Sequence, residues 1–339
     1  MTPPSRRLAV ALGTGLVALA AALAVALLLG AQRISLAAAL AGVEPDRSIL
    51  VGLRFPRVVV GALVGAALGT AGVALQALLR NPLAEPFVLG VSGGAALGGT
   101  AVLAASATLG PAATAALAGG PAVALGASAG AAAATALVFA LGRIGGRLVP
   151  EAALLVGVIF NAFAAGLITV VKVMVQPEEA SRLLYWLTGA VGYASPGTLV
   201  TGAVFVAVAV AVLVAASAQL NLLSLGDDEA SSLGVDVGRS RGVVFLAASL
   251  ATGAAVALAG LVGFVGLIVP HLLRRVFGPD HRILLPASVL FGAAFLVLAD
   301  AAARLAFLPL GSEPPVGALT ALLGGPLFLW LLRRTERSG

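Results

Sequence analysis

Few side chains here could do chemistry. The chain has two histidines, His271 and His281, one lysine, Lys172, and no cysteine. Without cysteine, disulfides and thiolate metal sites are excluded. The histidines stand ten apart, not at the i, i+4 spacing of a helical metal pair, and no His-x-Glu or Asp-x-Asp cluster joins them. His271 therefore reads as a packed or interfacial residue, and no metal site is expected. Lys172 sits between two valines with no preceding glycine. A phosphate-binding P-loop requires Gly-Lys-Ser/Thr, so this chain cannot hydrolyse ATP through one. It is expected to be no enzyme and to hold no cofactor. The charges left to explain are arginines and acids at particular places: Arg54, Arg57, Asp300 and Arg304, and the acidic run Asp227-Asp228-Glu229.

The elements that must position them lie in lipid. Of 339 residues, 60% are hydrophobic and 10% charged, and the mean hydropathy is +1.10. Soluble chains carry about 25% charged residues. The sequence reads as all-α and polytopic, a single membrane domain over 1–339. About ten spans are expected, near 8–31, 57–79, 88–107, 115–141, 152–175, 198–216, 242–262, 263–277, 283–305 and 315–332. The first apolar run is too long for a signal peptide, whose core is about 7–15 residues, and suits a ~30 Å bilayer core. The basic pI, near 11.1, suggests nucleic acid only until the charges are placed. No basic stripe interleaved with aromatics appears. With ten spans and an internal N-terminus, thirteen Lys and Arg fall inside and seven outside. That bias predicts both termini in the cytoplasm.

Gly61, Gly65 and Gly69 recur every four residues, a small-xxx-small face for close helix packing. Two segments are too polar for lipid. One, 176–197, carries Tyr185, Trp186 and Tyr193 at an aromatic-belt position. The other, 217–241, reads as a cytoplasmic helix–turn–helix. There Ser224 could cap a helix whose first turn holds Asp227, Asp228 and Glu229, where the dipole favours acids, and Gly234 could end it. The loop from Arg80 to Pro86 reads as a rigid turn, because its prolines restrict the residues before them. Arg54 and Arg57 enter the second span from outside, and Arg304 falls at the same face. Taken alone, they could snorkel to lipid phosphate. Asp300 lies four residues before Arg304, at the spacing of a local ion pair; the competing reading is a proton-relay carboxylate.

Several ordered motifs carry a resemblance. Arg54-Phe55-Pro56-Arg57 precedes Gly72-x-x-Leu75-Gln76, then Asn81-Pro82-Leu83-Ala84-x-Pro86 and Leu89-Gly90-x-Ser92-x-Gly94. Later come Phe264-Val265-Gly266-Leu267-Ile268-Val269-Pro270-His271, Asp280-His281-Arg282, Pro315-Val316-Gly317 and Gly324-Gly325-Pro326. Over nearly its whole length the chain resembles the FecCD-type permeases of ABC importers for iron-siderophores and cobalamin. The resemblance implies a permease with ten helices per subunit, paired with an identical or related second subunit. It implies cytoplasmic ATPases that hold the ATP and Mg, and an extracytoplasmic binding protein that delivers a chelate such as ferric siderophore, cobalamin or haem. It makes Arg54, Arg57 and Arg304 the docking residues for acidic lobes of that protein. It makes Gly226, Asp227, Asp228, Glu229, Ser232 and Gly234 the ATPase-coupling residues. Asn161, on the fifth span, would face the central path or bond another helix. The setting would be a bacterial plasma membrane. The competing class is a secondary transporter driven by an ion gradient, which would want carboxylates on broken helices at the midplane.

Overall fold

The computed structural model describes residues 4–30, 32–87, 89–108, 120–144, 147–175, 177–192, 194–307 and 311–335. Among these, seven helices are long and apolar enough to cross a membrane. In chain order the helices begin with α1 (Pro4–Leu28), the short α2 (Leu36–Leu40), and a π-helical turn over Ser48–Arg54 that runs straight into α3 (Phe55–Leu78). Then come α4 (Val91–Thr108), α5 (Gly120–Leu141), α6 (Pro150–Met174), α7 (Pro177–Leu187) and α8 (Pro196–Ala215). The chain continues through α9 (Ser217–Leu223), α10 (Asp227–Ser232), α11 (Val237–Ala259), α12 (Val265–Phe277), α13 (His281–Leu305) and α14 (Val316–Thr335). A two-residue β-pair, Arg143–Ile144 with Arg147–Leu148, is the only strand pairing described. Proline stands at the start of α3, α6 and α8, where its missing N–H costs nothing. By the charge bias, the end carrying α9 and α10 is termed inner.

A helix lies in each of the ten expected spans, but they are unequal. The segment expected as a span over 263–277 holds α12, which has 13 residues. That is about 20 Å of helix, short of a ~30 Å core. Polarity does not mark the break. The backbone does: Gly260 and Phe264 both take left-handed φ, 68° and 67°, so α11 and α12 are separated by irregular chain. Tyr193 and residues 109–119, within the segments read as an aromatic belt and an Ala/Gly-rich span, lie outside the described residues.

The core is built on glycine. α3 is the central helix, with 83% of its span window buried. A Cβ on Gly65 would stand 2.1 Å from the Gly292 carbonyl oxygen of α13, and one on Gly292 would stand 2.4 Å from the Gly65 oxygen. The two backbones therefore touch, which only glycine on both sides allows. α4 and α5 meet in the same way, Gly98 against Gly126. By contrast, α1 and α6 are mostly exposed, with Leu155, Ile159 and Phe163 of α6 each about 60% open. These faces suit lipid or a second subunit.

Candidate functional site

At the outer end, four charged residues from two helices meet. Arg54 closes the π-helical turn and is 6% exposed. Its Nη1 donates to the carbonyls of Leu27 and Leu28, at 2.7 and 2.8 Å, and its Nη2 to Gln32. Arg304 is 5% exposed. It donates to Ala26 and Leu29, at 2.9 and 3.3 Å. The last carbonyls of a helix lack intrahelical partners and carry the negative end of its dipole. Arg54 and Arg304 together cap α1 and fasten it to α3 and α13.

Arg57 is placed differently. Its Nε and Nη2 hold Asp300 side-on at 3.0–3.1 Å, and its Nη1 reaches Glu313 at 2.9 Å. Asp300 Oδ2 also lies 3.2 Å from Arg304 Nε, the i, i+4 pair expected from spacing. The cross-helix bond to Arg57 and the Glu313 contact were not readable from spacing. The set expected to dock a partner thus divides. Arg54 and the Nη groups of Arg304 are spent on carbonyls at the end of α1, and of the three arginines only Arg57 shows an edge to a part-exposed carboxylate.

At the inner end, α9 and α10 form the expected helical pair. Gly226, with φ 150°, precedes α10, and Gly234, with φ 84°, follows it. Ser224 does not cap α10; its Oγ donates back to Asn221 O at 2.7 Å, ending α9. Ser232 likewise bonds back to Asp228 O within α10. Asp227 turns away from the tip. Its Oδ1 accepts from Arg241 Nη2 of α11 at 2.7 Å and from Arg80 Nη2, beyond the end of α3. Arg80 takes a left-handed φ of 48° and also donates to Leu223 O at 3.2 Å. Asn221 ties α9 to the start of α13, donating to Asp280 at 2.7 Å and accepting from the His281 N–H at 2.9 Å. The tip keeps Leu225 and Leu233 at least 60% exposed, an apolar pair where a soluble partner could seat.

Between the two ends lies the break before α12. Pro270 lacks an N–H, which frees the carbonyl four residues earlier, Gly266 O. Gln76 Nε2 donates to that oxygen at 3.1 Å, and Gln76 Oε1 accepts from Arg274 at 3.0 Å. Gln76→Leu should leave both groups unpartnered and lower stability by about 1–3 kcal/mol, read as thermal unfolding in detergent. The Phe264 N–H, at the N-terminus of α12, is taken by Glu85 Oε1. So the turn from Arg80 to Pro86 also caps a broken helix.

Glu85 lies outside the helices, in the α3–α4 turn, and burial pushes its carboxyl up to about 7 against the opposing Phe264 hydrogen bond. A raised carboxyl binds its proton more tightly folded than unfolded. Its stabilising contribution is full below about pH 4.5 and is lost as pH rises through about 7. Glu85→Gln keeps an accepting oxygen and should flatten that slope in pH-dependent melting. Asn161 of α6 donates to Phe87 O in the same turn. Among the described residues, no three His, Cys, Asp or Glu gather as a metal site.

Comparison with known proteins agrees with this architecture. The FecCD transport family profile matches residues 17–334. The cobalamin import permease BtuC of Halobacterium salinarum is 40% identical over 296 residues, 87% of this chain and 76% of that one. The hemin transport permease HmuU of Yersinia pestis is 39% identical over 86% of this chain and 85% of its own. A solved chain described as a metal-chelate-type ABC transporter in an inward-facing conformation superposes with a TM-score of 0.80 at 30% identity. It covers 96% of this chain and 99% of its own length. These relatives are permease subunits, not enzymes. A glycine-packed, multi-span helical membrane protein, matched over this length, belongs to the FecCD transport family.

Proposed function

We propose that the chain is the membrane permease of an ABC importer in the bacterial plasma membrane, moving a metal chelate, cobalamin or haem by alternating access. Two permease subunits would enclose the path, with both termini cytoplasmic. Paired ATPases, holding the ATP and Mg, would seat on α9–α10, and an extracytoplasmic binding protein would dock outside. The observation that carries this reading is the inner tip. Exposed leucines flank a short helix whose first residue, Asp227, is tied to Arg80, just beyond α3, and to Arg241 of α11. A helix presented to a groove is a recurring docking mode, and here it is mechanically joined to the core. Motion at the tip would bias two packings of the bundle.

Gly226, Asp228, Glu229, Ser232 and Gly234 would shape that tip for coupling to the ATPase, and Asn161 is the candidate to line the path. The names of the two relatives and of the solved chain quoted above fit this reading and leave the chelate open. The test is uptake into proteoliposomes containing permease, ATPase and binding protein. Uptake should require ATP inside and survive ionophores; ionophore-sensitive, ATP-independent uptake would instead identify a secondary transporter. For docking, Arg57 is the informative residue, because Arg54 holds α1. Arg57→Gln should weaken binding-protein affinity about tenfold, the scale of one charge-assisted contact.

A further inference from the structure

Arg57 already carries a carboxylate on the edge that a partner would use. Asp300, whose side chain is 3% exposed, holds the Nε and Nη2 side of the guanidinium. That pair is buried and belongs to the fold. Glu313 holds Nη1 from the opposite direction, and its side chain is 38% exposed. It lies in the segment leading into α14, so it reaches Arg57 from across the outer surface. Arg57 itself is 22% exposed. An arginine presents a planar fork with distinct edges, and here the buried edge is fixed while the open edge is filled by a surface acid.

We propose that Glu313 is an internal stand-in for the docking partner's carboxylate. It occupies Arg57 in the unbound permease and is displaced when an acidic lobe of the binding protein arrives. The inference rests on the docking reading above. The chemistry of the exchange is balanced in charge. Two guanidiniums, Arg57 and Arg304, face two carboxylates, Asp300 and Glu313. One carboxylate leaves the Nη1 edge and another takes it, so the buried charges never lose their counter-ion. The exposed Glu313 contact is of the weak kind, which makes it exchangeable, whereas the Asp300 contact is not. The stand-in also keeps Arg57 oriented and spares it from binding stray anions between docking events. It lowers the affinity for the true partner by the strength of the contact displaced.

The experiment is a double-mutant cycle on the permease–ATPase complex in nanodiscs, titrated with the binding protein that co-purifies with it. Glu313→Gln should tighten binding about threefold at low salt, and the gain should shrink as ionic strength rises. In an Arg57→Gln background the same substitution should change nothing. If Glu313→Gln leaves affinity unchanged or weakens it while Arg57→Gln still weakens docking, the stand-in is wrong and docking through Arg57 survives. If Arg57→Gln has no effect, the docking reading fails and the stand-in fails with it. A tightening by Glu313→Gln that persists without Arg57 would assign the effect to general surface charge and overturn the proposal. Glu313 is at the surface, so its variant should fold as the parent does.

Discussion

Asp227→Asn should uncouple ATP hydrolysis from uptake while leaving the permease inserted and assembled. Asp227 is the first residue of α10, yet it points into the protein, where it gathers Arg241 from α11 and Arg80 from beyond α3. Arg241 is 5% exposed, so it has little water to fall back on. Removing the partner of a buried charge leaves that charge uncompensated, which costs several kcal/mol when burial is complete. Asp227 is part-exposed, its side chain 21% open, so a loss of about 2 kcal/mol is expected at this joint. The joint spans three elements, so its loss frees the tip to move without moving α3 and α11. ATP spent per substrate imported should rise about tenfold, as for about 1.4 kcal/mol of lost coupling. Melting temperature alone cannot distinguish this from simple weakening; the stoichiometry can. The charge exchange Asp227→Arg with Arg241→Asp should restore part of the coupling. Normal ATP-to-substrate stoichiometry in Asp227→Asn itself, with only its stability lowered, would refute the role.

Much of this architecture was legible because it is written in local patterns. Apolar run length marked the membrane helices, and glycines four apart marked the face on which α3 meets α13. Gly234 and the acidic run gave the short inner helix. The i, i+4 spacing gave the Asp300–Arg304 pair. What escaped depended on contacts remote in sequence. Arg54 and Arg304 looked like surface cations because each sits near a helix end. Nothing near them in sequence says that the open carbonyls of α1, roughly 25 and 275 residues away, would take their donors. The break before α12 was hidden because its residues are as apolar as their neighbours. Its signature is conformational, a left-handed Phe264, together with a glutamine of α3, Gln76, and a glutamate of the turn after it, Glu85, that satisfy the exposed backbone. A buried polar residue beside a proline-containing apolar helix was the one available hint, since backbone freed inside lipid must find a partner.

Asp300→Asn should be among the most destabilising single substitutions in the chain. The carboxylate is 3% exposed and is the shared counter-ion of two arginines, Arg57 and Arg304. Asparagine keeps the shape and some hydrogen bonds but removes the charge, so two guanidiniums from neighbouring helices then face each other. Breaking a buried pair from one side costs about 3–5 kcal/mol. The loss extends further than the pair, because Arg304 also caps α1, and a displaced Arg304 releases those carbonyls. Unfolding in detergent should begin at α1, visible as early proteolysis or hydrogen exchange in residues 4–28, before the α3–α13 glycine contact opens. The same variant decides between the two readings of this acid. A proton-relay carboxylate predicts normal stability with uptake lost and pH dependence abolished. A structural counter-ion predicts reduced stability, with uptake per folded transporter largely kept, and partial rescue when Arg57→Gln removes one of the stranded charges. Rescue by that second substitution is the decisive result, since removing an arginine could not repair a missing proton donor.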